Sequence, residues 1–201
     1  MKPEIYGTSR AMGKVNEDAY TIHRQGEIQI ALLADGAGNA GQIAKKVLSD
    51  FQDFLRGATL EALQSFPTWV SWIGTIDANM LGGETCTLTG LAVIDGRVLG
   101  VNVGDNRVYR IDLNGKVSIL SQGSKERLGS GNVLPSPLFC QVQHGEVILL
   151  MTDGAWSPLS LYKIARVYRR RLLFPREQLA GLFIDAVGKL YDDATVICVY
   201  F

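Results

Sequence analysis

Two aspartates that follow apolar segments are the residues of this sequence best suited to chemistry. Asp35 follows IALLA and Asp153 follows VILLMT, and each precedes a glycine. A carboxylate that ends a buried strand lies at the rim of the core, where burial without a partner costs several kcal/mol. No lysine or arginine lies within five residues of either aspartate. We therefore expect a cation from elsewhere to neutralise them.

Two further acidic pairs stand at strand boundaries, with Glu17 and Asp18 before AYTIH and Asp192 and Asp193 before ATVICVYF. If these strands pack in one sandwich, four acidic groups gather at one end of it and repel one another unless a multivalent cation is bound. Carboxylate oxygens without histidine or thiolate ligands favour magnesium or manganese. A single acid beside a strand is more often a solvated cap, so the metal hypothesis rests on the whole set.

The elements that must position these acids begin with a strand and a helix pair. Apolar residues at helical spacing predict a helix from Ile43 that ends at Gly57. A second helical pattern runs from Leu60 to Met80 and is interrupted at Pro67. We expect these two helical segments to pack together as a hairpin.

Short β-rich segments follow, joined by Asp95-Gly96, by residues 104–106 and by Asn114-Gly115. Asp-Gly and Asn-Gly between apolar segments are strong hairpin signals, so we predict an antiparallel meander in which Asp95 is an ordinary turn residue. Residues 122–141 are predicted to form a loop that carries a short surface flap before the strand EVILLMT.

Two helices and a strand close the sequence. Ser157 as N-cap, with Pro158 at the first helical position, predicts a helix to about Arg171. Pro175 opens another helix, and TVICVYF reads as a terminal strand. This order predicts an α+β fold, a four-layer α-β-β-α sandwich in which two packed antiparallel sheets are flanked by pairs of helices.

Length and composition limit the function. The 201 residues fit one domain, 1–201. The 20 basic and 20 acidic residues cancel, which argues against a nucleic-acid or membrane-surface partner. The segment MKPEIYG lacks the apolar stretch of a secretory signal, so the cytoplasm is the expected location. Three cysteines, without metal or redox spacing, are predicted to be inert thiols.

Five regions in series resemble the metal-dependent, type 2C (PPM) serine/threonine protein phosphatases. ADGAGNAG resembles the metal-binding turn of that family, and GKVNEDAY resembles its first acidic motif. GGETCTLTGLAVI and VNVGDNRVYRI are similar to its paired central strands, LLMTDGAW to its LLxxDGL segment, and DDATVICVYF to its final strand. Order and approximate spacing agree from residue 10 to the C-terminus. The chain is identified as a compact, bacterial-type member of this family.

The resemblance implies a centre that holds two Mn²⁺ or Mg²⁺ ions. Asp35 matches the aspartate that bridges the two ions, and the carbonyl of Gly36 matches a further ligand. A glycine permits such a backbone approach. Asp153 and Asp192 match the remaining direct ligands.

The resemblance also implies roles for residues around these ligands. Asp18 matches an aspartate that holds metal-bound water, with Glu17 beside it. Asp105 matches a residue that, with Asp153, holds a third and weaker ion in bacterial-type members. An ordinary turn residue is an equally good interpretation of Asp105, and Ser157 stands where some relatives carry an acid.

One departure concerns the substrate phosphate. The arginine that binds phosphate in this family corresponds to Gly13. Lys14 is adjacent and Arg10 is near, and these two are the predicted phosphate contacts. Lysine offers a point charge instead of a bidentate fork, so weaker substrate binding is expected.

These features predict hydrolysis of phosphoserine and phosphothreonine in proteins by water activated at two metal ions, with Asp18, Asp35, Asp153 and Asp192 as the catalytic residues. The expected partners are phosphorylated proteins and a bacterial-type serine/threonine kinase whose action is reversed, and the expected state is a monomer. The alternative is a pseudophosphatase that binds metal or phosphopeptide without turnover. The intact set of acids favours the enzyme.

Overall fold

Two antiparallel β-sheets pack face to face in a computed structural model that describes residues 2–37, 41–80 and 83–201. The first sheet has the order β2-β3-β5-β6-β9, and a two-residue strand, β4, pairs with the end of β3. Its strands are β2 (Asp18–Gln25), β3 (Ile28–Ala37), β4 (Thr85–Cys86), β5 (Leu88–Ile94), β6 (Arg97–Val103) and β9 (Ser136–Gln141).

The second sheet has the order β1-β11-β10-β7-β8, and all of its strand pairs are antiparallel. Its strands are β1 (Glu4–Arg10), β7 (Arg107–Ile111), β8 (Val117–Ile119), β10 (Val147–Met151) and β11 (Ala194–Tyr200).

The continuous apolar segments are buried on both faces of each sheet. In β3, Ala31 and Leu33 lie in the core between the two sheets, whereas Ile30, Leu32 and Ala34 lie in the core beneath the helices. Successive strand residues face opposite sides, so a strand with helices on one side and a sheet on the other needs apolar residues at every position.

Helices cover the outer face of each sheet. On the first sheet, α1 and α3 meet through a cluster of aromatic rings in which Phe51 contacts Trp69 and Trp72 at centroid distances of 5.4 and 5.8 Å. Three helices cover the second sheet. The α-β-β-α prediction is therefore confirmed. The helices are α1 (Gln42–Arg56), α2 (Leu60–Gln64), α3 (Phe66–Asn79), α4 (Asp153–Trp156), α5 (Leu161–Arg169) and α6 (Leu179–Val187).

The predicted meander is wrong at residues 104–106. β6 belongs to the first sheet and β7 to the second, so this turn crosses between the sheets instead of closing a hairpin. Gly104 has φ of +88°, and a Cβ there would clash with Thr87. The crossing carries Asp105 to the rim of the sandwich.

Other differences lie at strand and helix boundaries. Residues 136–141, predicted to be loop, form the edge strand β9, where Pro137 is tolerated because an edge strand leaves backbone donors unpaired. Strand β1 had no prediction. The helix predicted from Ser157 begins instead at Leu161, where Ser160 Oγ accepts a hydrogen bond from Lys163 N. No helix in the described part of the chain is long and apolar enough to cross a membrane.

Candidate metal centre

The register of β2 and β3 places two of the predicted site residues side by side. Asp18 and Asp35 are direct cross-strand partners. Residues directly opposite in an antiparallel pair project from the same face of the sheet. The hydrogen bonds of Asp35 to Thr87, through Asp35 N to Thr87 Oγ1 (2.9 Å) and Thr87 N to Asp35 O (2.8 Å), fix the end of β3.

Asp18 connects the two sheets. Its side chain is buried, and Oδ2 accepts hydrogen bonds from Thr152 Oγ1 (2.8 Å) and Thr195 Oγ1 (2.7 Å), both in the second sheet region. The pKa of Asp18 is raised to about 8, chiefly by burial and also by the charges of Asp35 and Asp193, whereas the two threonine hydrogen bonds act in the opposite direction. A nearby cation would therefore stabilise the ionised form of Asp18.

Asp153 and Asp192 meet because their turns pack against each other. Asp153 begins α4 directly after β10, and Asp192 lies just before β11, the neighbouring strand. A Cβ at Gly154 would clash with the backbone of Asp192 and Asp193. Burial raises the pKa of Asp153, and the charges of Asp105 and Asp192 raise it further.

Asp35 belongs to the same electrostatic cluster. Its pKa is raised to about 7, chiefly by burial and also by the charges of Asp153, Asp105 and Asp192, whereas Arg127 acts in the opposite direction. Four carboxylates from distant parts of the chain thus influence one another at one end of the sandwich. This convergence is what the sequence predicted for Asp35, Asp153 and Asp192, and it includes Asp105.

A cation that the sequence analysis missed lies among these acids. Arg127 Nη2 is 3.3 Å from Asp35 Oδ2 and 3.3 Å from Asp105 Oδ1. Arg127 lies in the segment predicted to be a flap, far along the chain from Asp35, and no local pattern marks it. The sequence indicates only that the acidic cluster requires positive charge, and it does not identify Arg127 as the source.

The donor chemistry of the cluster fits Mg²⁺ or Mn²⁺, since all of its side-chain donors are carboxylate oxygens. Burial, followed by the charges of neighbouring carboxylates, raises the pKa of Asp35 and of Asp153, and a bound cation would act in the opposite direction. Within residues 2–37, 41–80 and 83–201, however, no three His, Cys, Asp or Glu side chains are placed to hold one ion together. The Arg127 guanidinium lies between Asp35 and Asp105 instead.

Asp193 and Gly36, the chain neighbours of Asp192 and Asp35, make contacts that stabilise the structure around the site. Asp193 is buried and accepts hydrogen bonds from the backbone N–H groups of Met12 (2.7 Å) and Glu17 (2.6 Å), so it holds residues 12–17 against the end of β11. Gly36 N donates to Glu17 O (3.2 Å), and a Cβ at Gly36 would clash with the side chain of Ile43. The metal-binding roles of Glu17 and the Gly36 carbonyl stay predictions.

The two predicted phosphate contacts lie outside the cluster of acids. Arg10 forms an exposed ion pair with Asp185 of α6 at 2.8 Å. Lys14 is exposed in the loop that Asp193 anchors. Their roles toward phosphate also stay predictions.

A cleft of about 220 Å³ opens beside the acids. It is lined by Asp153, Gly154, Ser157, Pro158, Tyr191 and Asp192. A larger groove of about 780 Å³, which includes Asp95 and Arg110, lies at the other end of the strands. Because the acidic cluster is remote from that groove, the smaller cleft is the better candidate for substrate access.

The packing of Gly154 gives a test of how the Asp153 and Asp192 turns are held together. We expect Gly154→Ala to lower the free energy of unfolding by about 1–3 kcal/mol, the usual cost of overpacking, because the added methyl group meets rigid backbone. Urea denaturation measures this change. Gly181→Ala is the matched control, since its Cβ would meet nothing within 4 Å in α6 and alanine favours a helix by about 1 kcal/mol. Equal effects of the two substitutions would contradict this packing role.

Solved structures share this arrangement of sheets and helices. An S. agalactiae serine/threonine phosphatase superposes with a TM-score of 0.83 at 17% identity, covering 98% of this chain and 99% of that one. The catalytic domain of the phosphatase PstP, in complex with two manganese ions, gives 0.79 at 20% identity, with 98% and 97% covered. The chain has the fold of the PPM serine/threonine phosphatases.

The PPM phosphatase MsPP from Mycobacterium smegmatis, in complex with cacodylate, also superposes over nearly the whole chain, with a TM-score of 0.77 at 16% identity and 98% of each chain covered. No family model matches the sequence, and no curated protein matches it. The PPM fold is therefore present here at 16–20% identity to these solved structures.

Proposed function

We propose that this chain is a Mn²⁺- or Mg²⁺-dependent protein phosphatase that hydrolyses phosphoserine and phosphothreonine. The observation that carries this proposal is the convergence of Asp35, Asp105, Asp153 and Asp192 at one end of a sandwich with the PPM fold. These acids come from both sheets and from the turn between them, and the single positive charge of Arg127 is smaller than their combined negative charge. We further propose that residues 1–201 form one catalytic domain.

In this proposal Asp35, Asp153 and Asp192 hold the ions, with the Gly36 carbonyl as a further ligand and Asp18 acting through water. Bound Mn²⁺ or Mg²⁺ would supply a water of lowered pKa and neutralise the phosphoryl oxygens. Asp18 keeps its position through Thr152 and Thr195, which tie the two sheets together at the site.

The surroundings of the acids determine how a substrate would be placed. The phosphorylated side chain would enter beside Ser157 and Tyr191, which line the cleft next to Asp153 and Asp192. Asp193 holds the loop that carries Lys14 at the same end of the sandwich. Lys14, with Arg10 as the second candidate, would add positive charge for the phosphate. We place this activity in the cytoplasm, where it would reverse phosphorylation by a serine/threonine kinase.

A metal-titrated assay on a phosphothreonine peptide tests this function. We expect no phosphate release in EDTA and a steep rise as Mn²⁺ is added, because carboxylates alone cannot activate water at neutral pH. NaCl at matched ionic strength serves as the control. Turnover that persists in EDTA would reject the metal mechanism, and Mn²⁺ binding without any turnover would favour the pseudophosphatase.

A further inference from the structure

Arg127 bridges two aspartates through a single nitrogen atom. Its Nη2 atom lies 3.3 Å from Asp35 Oδ2, 3.3 Å from Asp105 Oδ1 and 3.4 Å from Asp105 Oδ2. A single nitrogen therefore contacts three carboxylate oxygens from two aspartates. A guanidinium that bound one carboxylate in the usual bidentate way would use two nitrogens for two oxygens. This geometry instead resembles one positive centre shared between two acids.

The backbone on both sides of Arg127 holds it there. On one side, Leu128 exchanges hydrogen bonds with Cys86 (Leu128 N to Cys86 O, 2.8 Å; Cys86 N to Leu128 O, 3.1 Å), and Cys86 pairs with Gly36, the neighbour of Asp35. Leu128 itself is fully buried. The segment thus pairs with β4, which in turn pairs with the end of β3, the strand that carries Asp35.

The other side of the segment is tied to the turn that carries Asp105. Ser124 N donates to Gly104 O at 2.9 Å, and Asn102 Nδ2 donates to Gln122 O at 3.3 Å. Beyond Leu128, Gly129 N donates to Asp77 Oδ1 at 2.6 Å, which fastens the segment to α3. Arg127 is therefore held by hydrogen bonds of its neighbours to β4, the partner of β3, and to the turn that carries Asp105.

We propose that Arg127 is a resident cation that takes the place of a metal ion at Asp105, so that this chain binds metal at Asp35, Asp153 and Asp192 but not at Asp105. This inference rests on the proposed metal site. The positive charge of arginine is permanent and is covalently part of the chain, so it needs no ion from solution. Asp105 would then position Arg127 instead of acting as a metal ligand.

Mn²⁺ binding measured by calorimetry and by electron paramagnetic resonance tests this inference independently of turnover. We expect Arg127→Met, which keeps the aliphatic volume and removes the charge, to bind one more Mn²⁺ per chain than the wild type, because three carboxylate oxygens lose their cation. Arg127→Lys should keep the wild-type number. Lys125→Met is the matched control, since it removes the same charge from an exposed position on the same segment.

A second variant covers the case in which Arg127→Met does not fold. Asp105→Asn should leave the number of bound Mn²⁺ ions unchanged, whereas a metal ligand at this position would lose one ion. An Arg127→Met protein that binds no more Mn²⁺ than the wild type overturns the inference, and so does an ion lost in Asp105→Asn. Failure of the proposed function has a different signature, which is a wild-type chain that neither binds Mn²⁺ nor releases phosphate.

Discussion

Asp35→Asn and Asp153→Asn are each expected to lower phosphatase activity at least about 100-fold, because loss of even an outer-shell partner of a metal ligand typically costs about 10–100-fold. Asparagine keeps the size of the side chain and removes the charge that would bind the ion. Steady-state hydrolysis of a phosphothreonine peptide at saturating Mn²⁺ measures the effect.

The same two variants separate loss of the site from loss of the fold. Burial raises the pKa of Asp35 to about 7 and also raises the pKa of Asp153, so a neutral side chain at either position removes a repelled charge. We therefore expect the metal-free variants to unfold at the same temperature as the wild type or higher. An inactive variant that is also much less stable would leave the assignment unsupported.

Asp95→Asn is the matched control for these substitutions. Asp95 also precedes a glycine, but it lies in the β5–β6 hairpin turn with φ of +50°, a backbone conformation that asparagine tolerates well. The turn is at the other end of the strands from the acidic cluster. Activity should stay at the wild-type level, and a loss comparable to that of Asp35→Asn would show that the assay reports general damage.

The metal-free protein is expected to become less stable as the pH rises from 5 to 8. The pKa values of Asp18 and Asp35 are raised to about 8 and about 7, chiefly by burial, whereas unfolded aspartates titrate near pH 4. Between about pH 4 and the raised pKa values, these two aspartates stay protonated in the folded state but are ionised in the unfolded state. Raising the pH in this range therefore favours unfolding. We expect Tm in EDTA to fall by at least about 4 °C, given about 2–4 °C per kcal/mol for a chain of this length.

Manganese should reverse this trend, because an ion binds the deprotonated carboxylates of the folded state. The increase in Tm on adding Mn²⁺ should be larger at pH 8 than at pH 5. Asp18→Asn provides the control, since it cannot ionise and keeps an oxygen for the Thr152 and Thr195 hydroxyls. Its metal-free Tm should depend less on pH. A wild-type Tm in EDTA that rises from pH 5 to pH 8 would contradict the burial of these acids.

The sequence was sufficient to predict the layers of the fold and most of the acids. Continuous apolar segments such as IALLA predicted strands buried on both faces, and their ends carried Asp35 and Asp153. The crossing at residues 104–106 was not predictable from local pattern, because a Gly-Asp-Asn turn looks the same whether the next strand pairs in its own sheet or joins another. Whether Asp105 approaches Asp35 depends on that difference.

The position of Arg127 beside Asp35 and Asp105 was not predictable from the sequence either. Its contacts with Asp35 and Asp105 depend on the pairing of Leu128 with Cys86, which is an isolated bridge between an irregular segment and the two-residue strand β4. A single bridge leaves no hydrophobic periodicity in the sequence.

The start of a helix was also misplaced at Ser157. Serine followed by proline is typical of a helix N-cap, but Ser157 lies at the end of α4, where its N–H donates to Asp153 O at 2.9 Å.

The acids of the site are spread along almost the whole polypeptide, from Asp18 in β2 to Asp192 before β11, and they come from both sheets. A ribosome-bound chain that has not yet released β11 therefore has no functional centre. The proposed hydrolytic centre would therefore require β11 to be in place between β1 and β10. Under the proposed function, removal of β11 should abolish activity as completely as chelation of the proposed metal ions.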